Sequence, residues 1–136
     1  MKLEPDIYTR CVSIAKAYYR MLRRRSEIDE EIILAGGNPP DGLPRGLEPG
    51  NPTAQKAERL IARKQENERR IKAVEKAWSE CQSDKEREFV KKNLLEGMQM
   101  WQIYIPMSNG KAMSERTMKR YRKQFLFRLA KNLYEI

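Results

Sequence analysis

With 136 residues, 28 Lys and Arg against 19 Asp and Glu, and a formal net charge of +9, the chain has length for one domain or two very small ones. A hydrophobic share of 40% beside 35% charged residues is too apolar for a disordered tail and leaves a thin core under solvated faces. The absence of histidine removes the commonest general base and metal ligand at neutral pH, which excludes His-dependent nucleases and proteases.

Only four aspartates occur, Asp6, Asp29, Asp41 and Asp84, and the glutamates are scattered along amphipathic segments. No catalytic residue, metal site or cofactor is therefore expected, and the chain reads as a binding protein and not as an enzyme. Cys11 and Cys81 form no CxxC pair and read as small core residues of a reducing compartment. The opening MKLEPDIYTR carries charges and Pro5 where a secretory leader needs an apolar run, so a cytoplasmic protein without a membrane partner is expected.

In chain order, Ile7, Cys11, Ile14, Tyr18, Met21, Ile28 and Ile32 recur at three-four spacing and predict one helix over about residues 5–34. Residues 36–52, GGNPPDGLPRGLEPGNP, hold five of the seven glycines and five of the seven prolines. They read as a linker, with Leu43 and Leu47 pinning it to the helices. Asn51 then caps a helix with Pro52 at its first position, and Ala57, Leu60, Ile71, Val74, Trp78 and Cys81 carry its stripe to about residue 81. The two helices are expected to fold back as a long antiparallel pair, residues 1–82, serving oligomerisation or partner contact. Arg25, Lys64 and Asn67 interrupt the stripes; snorkelling side chains explain them with less machinery than a register-fixing role.

Residues 83–136 predict a separate unit. Ser83 opens a capping box with Glu86, Phe89, Val90, Leu94 and Leu95 give the helix its apolar face, and Gly97 ends it. A second short helix is expected over residues 98–105, closed by Pro106, with Trp101 and Tyr104 as its core in preference to stacking on single-stranded bases. Asn109-Gly110 marks a turn, and Ser114 caps the last helix. On that helix Met118, Tyr121, Phe125, Leu129 and Leu133 share one face, with Leu126 and Ala130 beside it. Arg116, Lys119, Arg120 and Lys123 project from the opposite side, while Arg122 and Arg128 flank the seam.

Residues 111–136 hold eight basic and two acidic groups, so six of the nine net charges lie there. A helix apolar on one side and basic on the other, after two shorter helices and a turn, has the layout of a helix-turn-helix with its last element in the major groove. Arginine can bind guanine O6 and N7 with two hydrogen bonds, lysine supplies phosphate charge, and Glu115 can accept from cytosine N4. The expected fold is all-α: a long antiparallel helical pair followed by a three-helix helix-turn-helix unit.

Over SDKEREFV (83–90) and MSERTMKRYRKQFLFRLAKNLY (113–134), and in layout over TAQKAERL from Thr53, the chain resembles the RinA/ArpU-type regulators of late transcription in phages and prophages of Gram-positive bacteria. The C-terminal unit of that family looks like the region-four fold of sigma factors, so the resemblance implies promoter recognition. It places residues 114–123 on the start of the recognition helix, with Glu115, Arg116, Lys119 and Arg120 as base or phosphate contacts. PMSNGKAM makes the preceding turn longer than that fold's tight turn.

The combined expectation is a sequence-specific transcriptional activator in the cytoplasm of a bacterial host, binding double-stranded DNA through Ser114, Glu115, Arg116, Lys119, Arg120, Arg122 and Lys123. Its helical pair would dimerise or meet host RNA polymerase. Two alternatives remain: a phage small terminase subunit that recognises DNA for packaging, and a helical interaction protein whose basic helix docks on an acidic partner.

Overall fold

A computed structural model describes residues 3–34 and 52–134. Among them the chain is all-α, with five helices: α1 (Pro5–Lys16), α2 (Tyr18–Leu34), α3 (Pro52–Ser79), α4 (Asp84–Val90) and α5 (Glu115–Tyr134). A π-helical turn, Lys91–Leu95, follows α4 directly, and a 3-10 turn spans Met100–Gln102. The linker reading with Leu43 and Leu47, and the Asn51 cap, lie outside the described residues.

Where one helix was expected over residues 5–34, there are two, separated at Ala17 (φ −86°, ψ 0°). The Ala17 N–H is shared between Ser13 O (3.0 Å) and Ile14 O (3.2 Å), so the turn tightens without losing its bond. No Gly or Pro stands there to announce it. Helix α3 stops at Ser79, two residues before the expected end, where the Cys81 N–H closes back on Trp78 O at 3.1 Å.

The chain divides into two compact units, residues 1–19 with 72–136, and residues 20–71. This differs from the split at residue 82 read from the sequence, because α1 packs on α5 and on the π-helical turn. The end of α3 joins the same unit: Trp78 Nε1 donates to Arg87 O (3.1 Å), and Asn132 Nδ2 donates to Ala73 O (3.1 Å).

In the unit of residues 20–71, Ile28, Ile32 and Leu60 form a small buried cluster with Ile61 against it. The polar interruptions do more than snorkel. Asn67 Nδ2 donates to Met21 O (3.0 Å), Arg25 grips Glu68 through Nε (2.6 Å) and Nη2 (3.2 Å), and Lys64 Nζ meets Asp29 (2.7 Å). Met21 and Arg25 meet the adjacent positions 67 and 68, while Asp29 meets Lys64, nearer the start of α3, as in an antiparallel pair.

The other unit is built on the fully buried rings of Phe89 and Phe125 with Leu94, Ile105, Leu126 and Leu129. Each such side chain removed from water contributes roughly 1.5–3 kcal/mol. Cys11 and Cys81 are buried there, as the sequence predicted.

Candidate nucleic-acid interface

Helix α5 starts where its sequence dictates. The Thr117 N–H donates to Ser114 Oγ (3.2 Å), Ser114 Oγ donates to Thr117 Oγ1 (3.0 Å), and the Met118 N–H reaches Ser114 O (3.0 Å). Ser114 therefore spends its hydroxyl on the cap. Met118, Phe125, Leu126, Leu129, Ala130 and Leu133 are buried, which fixes the helix and turns the opposite stripe outward.

Glu115, Arg116, Lys119, Arg120 and Lys123 are all exposed on that side. Lys119 Nζ lies 3.1 Å from Glu115 Oε1, an exposed i,i+4 pair that a phosphate can displace. The Arg120 guanidinium stands 5.3 Å from the centre of the Tyr121 ring, within cation–π range. The structure thus brings four cations together over the first turns of α5.

Arg122 does not join them. Its Nε donates to Tyr8 Oη (3.1 Å) and its Nη1 to Asn93 Oδ1 (2.7 Å), so it ties α5 to α1 and to the π-helical turn. Asn93 is buried and also donates through Nδ2 to Met98 O (2.9 Å), linking the chain after Gly97 to α5 through one side chain. Arg128 likewise turns inward: its Nη2 meets the buried carboxylate of Glu86 at 2.8 Å and Cys81 Sγ at 3.5 Å. The second oxygen of Glu86 accepts from the Gln82 N–H (2.7 Å), while its own N–H donates to Ser83 Oγ (3.2 Å). The capping box is present, shifted by one residue on its return arm.

Between α4 and α5 the expected second helix over residues 98–105 is absent. Gly97 (φ +77°) ends the π-helical turn, the 3-10 turn takes three residues, and the chain then extends. The Met113 N–H bonds to Ile105 O (2.8 Å) and the Met107 N–H to Lys111 O (2.8 Å), closing a short hairpin around Gly110 (φ +80°). Ile103 and Ile105 are buried with Tyr104 between them exposed, the period of an extended strand. Trp101 and Tyr104, expected in the core, are 82% and 67% exposed. Lys111, exposed beside the hairpin turn and three residues before the Ser114 cap, adds a fifth cation that helix patterning passed over.

Burial pushes the Cys11 thiol up to about 11 and raises that of Cys81, where the Glu86 carboxylate adds to the shift. Both thiols are therefore poor nucleophiles at neutral pH. Among the described residues no cluster of three or more acidic or cysteine side chains has metal-holding geometry, and no helix is long and apolar enough to cross a membrane. Compared with known proteins, the chain matches no family model, no curated protein and no solved structure.

Proposed function

We propose that the protein binds double-stranded DNA through the N-terminal half of α5, seated in the major groove, and acts as a sequence-specific transcriptional activator. One observation carries the reading: Arg116, Lys119, Arg120 and Lys123 stand exposed on a helix whose other face is locked by buried apolar side chains. A rigid helix presenting arginine forks and lysine charges is suited to base edges and phosphates together. The likeness of residues 83–90 and 113–134 to RinA/ArpU-type regulators extends the proposal to late genes of a phage or prophage. Host RNA polymerase or a second copy of the chain would then be a further partner.

Selection of bound fragments from a random duplex pool, followed by salt titration on the winner, tests this. One enriched motif is expected. Five exposed cations, Lys111 with the four on α5, predict a log–log salt slope of about −4 to −5. Enrichment of no motif and no duplex retardation at low salt would refute the proposal.

A further inference from the structure

A groove of about 390 Å³ runs beside the exposed cations of α5. Its apolar surface comes from Tyr8, Met100 and Phe127, and its rim carries Lys119, Arg122 and Lys123, with no carboxylate among the described lining residues. A second groove, of about 590 Å³, shares Met100 and Arg122 with the first and carries Trp101, with Glu115 also in its lining. At 82% exposure the Trp101 indole gives up burial that a residue of its size normally takes. Aromatic surfaces beside the cations of the first groove suit a nucleic-acid strand with its base faces free.

We propose that these adjoining grooves take unpaired nucleotides of single-stranded DNA, with Phe127, Tyr8 and Trp101 as stacking surfaces and Lys119 and Lys123, at the edge shared with the duplex-binding face, neutralising the phosphates at the junction of duplex and strand. A paired duplex hides its base faces in the stack and cannot use them. The inference rests on the reading of α5 as a DNA-binding helix and deepens it: the preferred ligand is a duplex adjoined by an unpaired strand. The volume of the first groove lies in the range of sites for ligands of nucleotide size. The Lys119–Glu115 pair opens when a phosphate replaces the carboxylate.

Fluorescence anisotropy with the full chain and four labelled probes decides it. The probes are a blunt duplex, the same duplex with an oligothymidine overhang, the same duplex with an abasic overhang of equal length, and the overhang strand alone. The thymidine overhang is expected to tighten binding about tenfold over the blunt duplex, and the abasic overhang to add far less. Trp101→Ala and Phe127→Leu should each remove most of that gain and leave the blunt-duplex affinity unchanged. Because Trp101 is exposed, its replacement keeps the test valid even where Phe127→Leu fails to fold. A blunt duplex bound with no gain from the overhang overturns this inference alone. So does an equal gain from the abasic overhang, or a gain that survives both substitutions. Binding of the single strand without the duplex supports the groove and refutes the duplex reading, and binding of no probe overturns both.

Discussion

At Glu86 a fully buried carboxylate is held by Arg128, whose side chain is 18% exposed, with the Gln82 N–H and the Cys81 thiol as neighbouring partners. Removing one leaves the other uncompensated, so Glu86→Ala or Arg128→Met should cost about 3–5 kcal/mol in urea unfolding. The double replacement by apolar residues of similar volume should recover most of that loss. A single-variant cost below about 1 kcal/mol would contradict the account.

The buried thiols give a pH signature. The Cys11 pKa is raised from 9.0 to about 11, so above pH 9 the unfolded chain loses its proton while the folded one keeps it. The contribution to stability is full below pH 9 and declines as pH rises toward about 11. At pH 8, Ellman's reagent should label neither cysteine of the native protein at an appreciable rate and both after denaturation; rapid native labelling would contradict the burial.

Under the proposed DNA-binding function, the arginines of α5 divide by role. Arg116→Ala or Arg120→Ala should relax base preference by ~1–3 kcal/mol, and Lys123→Ala should reduce the salt slope by about 1. Arg122→Ala should act mainly on stability, through Tyr8 and Asn93. Equal losses on cognate and scrambled DNA for Arg116→Ala, Arg120→Ala and Lys123→Ala would sink that division. Spacing alone set Arg122 at the seam of α5. Its partners come from positions 114 and 29 residues earlier in the chain, and no local pattern encodes them.

Among the elements, the helix starts were legible because capping is local chemistry. Ser83 and Ser114 stand where their hydroxyls can accept from the third residue on, and both do. Ser83→Ala should lower stability by about 1 kcal/mol, measured by thermal unfolding. Gly97→Ala should cost a similar ~1 kcal/mol for a different reason. A Cβ there would meet nothing within 4 Å, so the penalty is the left-handed backbone alone. The stretch after Gly97 carries an apolar run that fits a helix as well as a strand, and only the burial of Ile103 and Ile105 on either side of exposed Tyr104 reveals the period of two. Short apolar runs do not decide between the two periods; the extended chain buries Ile103 and Ile105, while Trp101 in the 3-10 turn before it faces outward. The polar breaks at Arg25, Lys64 and Asn67 were visible as interruptions, while their pairing with Glu68, Asp29 and Met21 needed the register of α2 on α3.

For the molecule as a whole, apolar stripes foretold helices and said little about which helices share a core. The joining of α1 with α5 depends on packing between opposite ends of the chain, and a stripe is silent about its distant partner. Among the described residues, the unit of residues 20–71 has as its clustered apolar core Ile28, Ile32 and Leu60, with partly exposed ion pairs around them. In hydrogen exchange its amides should therefore open before those of α5. Leu60→Ala, at about 2–5 kcal/mol, should abolish protection there while α5 retains it. Loss of protection in both at once would mean the two units unfold as one.

The cross-helix pairs also leave a mark on how this chain can diversify. Positions 86 and 128 should change together among descendants, because either charge alone would be purged. Positions 25 with 68 and 29 with 64, more open to water, should drift with weaker coupling. The exposed cations at 116, 119, 120 and 123 lack such fixed partners deep in the fold, so they are free to vary with whatever ligand each lineage meets.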